Sequence, residues 1–208
     1  ERKSCYAPEA FSGDSHRLKA PEPTDAEIFG ERDISLNSHD RHNVPKYFPH
    51  AVANFVTRED PCFFERNAID GVIDNSNHGS YPYHSWGGGL REDLEFEVRF
   101  GTDVEVSRVT IFLRADFPHD TYWKECDLEF SDGTRVHAEL KGVAEGQEVT
   151  FEPKVTEFVR LTGLKQQRLE DGSLSFAALS QMQIFGKYIK KEIEGMEVRD
   201  ASNAKDVK

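Results

Sequence analysis

Residues Leu94 to Leu113 read LEFEVRFGTDVEVSRVTIFL, and the apolar side chains in this run keep a period of two. Leu94, Phe96, Val98 and Phe100 alternate with Glu95, Glu97 and Arg99; Val109, Ile111 and Leu113 resume the alternation after what reads as a short turn. A period of two turns one face to a core and the other to water, which defines a half-buried strand. A helix would space its apolar residues three and four apart. Moving outward, the same period returns at Leu128 and Phe130, at Val136, Ala138 and Leu140, at Val149 and Phe151, from Phe158 to Leu161, and in QMQIFG at Gln181–Gly186. Asp132-Gly133 separates two of these runs with hairpin-turn chemistry. Short strands, frequent turns and almost no helical periodicity predict an all-β fold, an antiparallel β-sandwich of the jelly-roll kind.

The ends of the chain read differently. Residues 1–45 carry polar turns and the stretch APEPTDAEIFGERD, and only Ile34 and Leu36 in DISLNS alternate. They are expected to form a leader segment or a strand added to the sandwich that spans 46–187. Residues 188–208 are densely charged and poor in apolar side chains, the composition of a tail or linker. Because the chain starts at Glu1, it reads as a processed protein or a piece of a longer one, joined to further modules.

Across 208 residues, 26 Lys and Arg stand against 38 Asp and Glu, a net charge of −12. That balance repels nucleic-acid phosphates and anionic membrane surfaces, so neither is an expected partner. No apolar run approaches the roughly 20 residues of a membrane-spanning helix, and membrane insertion is not expected. Cys5, Cys62 and Cys126 lack metal-ligand spacing, and their odd number argues against a disulfide scaffold. Cys62 and Cys126 read as small buried hydrophobes, with a bridge between them the alternative. His39, His42 and His50 lie in a segment broken by Pro45 and Pro49, which denies His39 and His42 a common helical face for zinc; they are expected to order loops by hydrogen bonding.

Two loops concentrate unusual chemistry: RNAIDGVIDNSNHGSYPYHSWGGG (Arg66–Gly89) and RADFPHDTYW (Arg114–Trp123). Loops at one end of a sandwich are where binding sites are built, and the two make one site if they meet in space. A ligand with a flat apolar face and a polar edge needs an aromatic plane with donors and acceptors around it. Arg114 supplies donors, His78 and His119 either role, Asp116 acceptors, and Tyr83 and Trp123 rings. Trp123 stands in a polar, proline-broken loop, where a ring that stacks on a ligand would be placed. Trp86 reads as a core ring. An ion pair of Arg114 with Asp116 or Asp120, pinning the loop, is the other reading of the same residues.

The order of NAIDG, a tryptophan sixteen residues after Asp70, LEFEVRFG, VSRVTIFLRAD, DLEFSDGT, VTEFVRLTGL and QMQIFG resembles that of discoidin-like domains, also called coagulation factor type C or galactose-binding-like domains. The resemblance runs from about Asn54 to Gly186. It implies an eight-stranded jelly roll acting as a non-catalytic binding module, often for carbohydrate in bacterial multimodular enzymes, in an extracellular or cell-surface setting. It also implies a structural calcium, with Asp70 at the family's loop aspartate, Asn67 and Asp74 flanking it, and Gln181 where the family usually has a last-strand glutamate. His84 stands where the family usually has threonine. Calcium takes six to eight oxygens, so these residues alone do not complete a site. Read locally, Asp70 is a turn residue capping its own loop ahead of Gly71.

The sequence therefore predicts a carbohydrate-binding module that targets an attached enzyme or cell-surface protein to a glycan, a polysaccharide or a glycoprotein sugar. A protein-interaction or assembly module is the alternative. A glycan-active enzyme using Asp116 and Asp120 as paired carboxylates is a third reading.

Overall fold

The computed structural model describes Asp14 and residues 21–73, 85–115 and 121–189. Among the described residues one short α-helix, α1 (Asp25–Phe29), precedes eight strands, with three 3-10 turns between the second and third: β1 (Arg32–Asp33), β2 (His50–Ala53), β3 (Trp86–Gly87), β4 (Phe96–Leu113), β5 (Trp123–Phe130), β6 (Arg135–Glu139), β7 (Gln147–Gln166) and β8 (Ala178–Tyr188). All strand pairings are antiparallel.

The run Leu94–Leu113 is the hinge of this architecture. Where the sequence reads a turn between Phe100 and Val109, the chain instead continues as one strand that changes partners. Phe96–Arg99 pair with β2 and with residues 158–161 of β7, whereas Val104–Leu113 pair with β8 and with the first part of β7. Gly101, at φ +72°, supplies the bend. A second register shift between Val106 and Arg108 moves the inward phase by one residue, so Val104 and Val106 are buried and then Val109, Ile111 and Leu113. A bulge that preserves burial on both sides of itself lets one strand serve two layers. One layer runs β2, β4, β7, β5, β6 and the other β1, β8, β4, β7, with β3 also on β8.

Between the layers lie Trp86, Phe96, Val98, Phe100, Ile111, Trp123, Leu128, Phe130, Leu161 and Met182, each nearly or fully buried. The Asp132-Gly133 turn forms as its chemistry requires: Gly133 sits at φ +78° and Asp132 Oδ1 accepts the Thr134 amide at 2.9 Å. Cys62 and Cys126 are buried and free, so no bridge joins them. Burial pushes their thiols up to about 11 and about 12, which keeps both protonated and unreactive.

The segment ahead of β2 is tied into the sandwich. Ile34 is buried and its amide donates to the Ile184 carbonyl at 2.8 Å; the Ser35 hydroxyl donates to the Met182 carbonyl at 2.9 Å. The histidines there take separate partners. His50 Nδ1 lies 2.7 Å from Asp40 Oδ1 in a fully buried pair, and His42 Nδ1 lies 2.8 Å from Glu65 Oε1 with its ring stacked on Phe64. Among the described residues no cluster of three or more His, Cys, Asp or Glu is arranged to hold a metal ion.

Candidate binding end of the sandwich

The start of β8 is the meeting point of the site. Gly87 pairs with Ala178 and Trp86 with Leu179, while on the other side the Arg114 amide donates to the Ala178 carbonyl at 2.9 Å. Ser85 and Trp86 lie near the end of the first of the two chemically dense loops, and Arg114 and Ala115 open the second. The flanks of both loops are thus neighbours on one strand. The connection between β7 and β8 joins them there: the Thr121 amide donates to the Phe176 carbonyl at 2.9 Å, and the Gln167 amide to the Tyr122 carbonyl at 2.8 Å. Gln166 binds the segment together by donating through Nε2 to the Thr121 hydroxyl and the Ser175 carbonyl.

Trp123 is corrected by the structure. It is the first residue of β5 rather than part of a loop, it is 1% exposed, and its ring stacks on Trp86 at 5.7 Å. Pairing with Gln166 points it inward, in line with Cys126, Leu128 and Phe130. The two tryptophans plug this end of the core, and Trp86 Nε1 donates to the Phe55 carbonyl at 3.0 Å, satisfying the one polar atom it buries. Arg114 is also buried, at 4% exposed, and is engaged within the fold. His78, Tyr83, Asp116, His119 and Asp120 lie outside the described residues, as does Asp74.

Among the described residues, the exposed ring at this end is Phe176, which the sequence reading passed over. It is 45% exposed, two residues before β8, with its carbonyl fixed by Thr121. The signal was there in LSFAAL: a phenylalanine between a serine and two alanines just ahead of a buried strand. Beside it opens a cleft of about 530 Å³, lined among the described residues by Glu92, Lys124, Leu164, Lys165, Gln166 and Arg168 with their neighbours. Gln166 belongs to both the cleft wall and the Thr121–Ser175 linkage, so one side chain connects the cleft to the residue before Phe176.

The residues expected around a calcium are gathered on the flank of the first loop. Asn67 and Gln181 are fully buried and Asp70 nearly so. Asn67 Nδ2 donates to the Pro61 and Ser85 carbonyls at 3.1 and 3.2 Å, which leaves its Oδ1 buried without a hydrogen-bond donor. Gln181 Oε1 accepts the Gly71 amide at 3.2 Å, and Asp70 Oδ1 accepts the Val72 amide at 2.9 Å, the self-capping turn. A buried amide oxygen with no donor costs about 1–3 kcal/mol, and a hard cation is one way to satisfy it. The oxygen-rich character of the three side chains fits calcium, with one carboxylate among them.

No family model matches the sequence, and no curated protein matches it. Solved structures do match. Chitosan-binding module 1 of a chitosanase/glucanase from Paenibacillus sp. IK-5 superposes with a TM-score of 0.53 at 18% identity, covering 74% of this chain and 99% of the module. The lectin domain of lectinolysin, solved with Lewis B antigen, superposes with a TM-score of 0.51 at 17% identity, covering 74% of this chain and 96% of that domain. The fold is therefore the discoidin-like, galactose-binding-like β-sandwich.

Proposed function

We propose that this discoidin-like sandwich is a non-catalytic glycan-binding module whose site is the loop end around the start of β8. The observation that carries the reading is the exposed Phe176 ring, held by the Thr121 amide where the flanks of both polar loops meet. A ring fixed at its backbone and open on its face suits the C–H face of a sugar, and donors and acceptors on both sides suit its hydroxyls. The chitosan-binding module and the Lewis B-bound lectin domain support this reading by sharing the scaffold. No step of catalysis is needed: the module acts by occupancy. Attached to an enzyme or a surface protein outside the cell, a weak site raises local concentration on a polysaccharide, and repetition adds avidity.

The test is a glycan array with the wild-type chain beside Phe176→Ala, each checked for an unchanged melting temperature. Selective binding that is lost in the folded variant supports the proposal; a chain that binds no glycan, or a variant that binds as well as wild type, overturns it.

Calcium is the proposed structural ion, held by Asn67 Oδ1, the Asp70 carboxylate and Gln181 Oε1 with backbone carbonyls, and its role would be to stiffen the base of the first loop. Millimolar calcium added to chelator-treated protein is expected to raise the melting temperature, by about 2.7 kcal/mol of stabilisation at a hundred times the dissociation constant. Asn67→Ala is expected to abolish that rise. A melting temperature indifferent to calcium and chelator would remove the ion from the account.

A further inference from the structure

The cleft beside Phe176 has a charge opposite to that of the molecule. Its described lining holds three cations, Lys124, Lys165 and Arg168, and one carboxylate, Glu92. In a chain of net charge −12, a concave surface with that balance is a local exception. Concavity strengthens it, since low-dielectric walls focus the field of charges gathered in a cleft.

The cations are held at exposed positions, with Arg168 also donating to the Gly172 carbonyl at 2.9 Å. Arg168 is paired with Glu92, with side chains 50% and 67% exposed, and Lys165 Nζ lies 3.2 Å from Glu125 with its side chain 67% exposed. Exposed ion pairs of this kind contribute about 0–1 kcal/mol, so an incoming anion exchanges with them at little cost. Lys124 is exposed and makes no ion pair among the described residues. The floor is apolar, with Leu164 buried, and Gln166 and Gln167 add amide donors and acceptors along the wall. At about 530 Å³ the space falls within the range of small-ligand sites.

From these observations we infer that the cleft is a second subsite that takes the carboxylate or sulfate of an acidic glycan whose neighbouring sugar stacks on Phe176. The inference rests on the glycan-binding reading and adds the substrate class to it. Gln166 is the joint: it lines the cleft and bonds to Ser175, the residue before Phe176. A chain bound across both would place a neutral ring face at the phenylalanine and a charged group next to Lys124, Lys165 and Arg168. Uronates and sulfated sugars present the same chemistry to these cations, an anion carried on a hydroxyl-rich ring.

The experiment is calorimetric titration of the full chain with matched probes: tetragalacturonate against its methyl-esterified form, and a sulfated galactan tetrasaccharide against its desulfated form. Each pair keeps the backbone and removes the charge. At least one acidic probe is expected to bind about tenfold more tightly than its neutral partner, with the advantage shrinking as salt is raised. Lys124→Gln combined with Arg168→Gln is expected to remove that advantage while leaving the neutral probe unaffected, and Lys187→Gln, one positive charge lost at the far end of β8, is expected to change neither. Which acidic probe gains distinguishes carboxylate from sulfate.

Equal binding of charged and neutral partners, or an advantage that survives the double variant or falls equally in Lys187→Gln, overturns the subsite. So does inorganic sulfate competing as well as the sulfated tetrasaccharide, because the cleft would then hold an anion without its sugar. A chain that binds none of the four probes overturns this inference. Neutral binding that vanishes in Phe176→Ala, with no charge preference, defeats the subsite and leaves the glycan-binding reading standing.

Discussion

Trp123, which its local sequence places in a ligand-facing loop, is a core ring, and the exposed ring is Phe176. Trp123 sits among Pro, His, Asp and Tyr, yet the strand starts at that residue and turns its ring onto Trp86. Truncating a ring so enclosed leaves a cavity, and Trp123→Ala is expected to cost about 3–5 kcal/mol, read as a lowered melting temperature or failure to accumulate folded protein. Phe176→Ala removes a surface ring and is expected to change stability by no more than about 0.5 kcal/mol while weakening glycan binding about tenfold, separable by melting and titration on one sample. The chemistry of the two dense loops was legible because rare residue types cluster there. Which ring faces out was not, because that depends on where β5 begins, and the burial of Trp123 follows from its pairing with Gln166, distant in sequence. Glu65 supplies a pH test at the same scale. Burial raises its carboxyl above the ordinary carboxylate range against the opposing pull of His42. A raised folded pKa gives stability that is complete below the unfolded value of about 4.3 and lost as pH climbs through the folded one. Glu65→Gln escapes that loss, so its melting temperature relative to wild type is expected to rise between about pH 4 and about pH 7. A flat or falling difference would show that burial does not govern this carboxyl.

At the scale of elements, β4 carries the fold by changing layers, and Gly101 carries β4. Any side chain there meets two obstacles: a left-handed φ of +72°, and the Phe48 ring, into which an added Cβ would run. Gly101→Ala is expected to cost at least the roughly 1–2 kcal/mol of the left-handed conformation, measured by denaturant unfolding; an unchanged midpoint would mean that the bend is made elsewhere. The strands themselves were legible from alternation, as Leu94–Phe100 and Val109–Leu113 show. Their continuity was not: GTDVEVSR looks like a turn because the bulge near Arg108 breaks the phase that alternation reads. The segment that continues past β1 was legible only as Ile34 and Leu36 in alternation, and the structure buries Ile34 while leaving Leu36 52% exposed. Ile34→Ala is expected to cost about 2–5 kcal/mol, the range for a buried aliphatic residue, whereas Leu36→Ala is expected to be near neutral. Equal losses at both positions would contradict the packing of this strand on β8.

At the scale of the whole molecule, charge and fold act separately. The acidic balance was legible from composition, and it sets solution behaviour: with a sequence pI near 5.1, scattering from self-association is expected to peak near that pH and to fall on either side. The cation-lined cleft was not legible, because Lys124, Lys165 and Arg168 are drawn from the start of β5, the end of β7 and the connection after it. Only the antiparallel pairing of those strands gathers them.

The register of β1 on β8 has a consequence for how the molecule can be held. Arg32 pairs with Gly186 and Asp33 with Phe185, so the chain enters the sandwich where β8 leaves it, ten residue steps from Ala178. At about 3.3 Å per residue that is a separation of some 33 Å from the loop end. Entrance and exit share one pole, and Phe176 occupies the other. A pull applied at Arg32 or at Tyr188 therefore acts on the same side of the body, away from the end that carries Phe176.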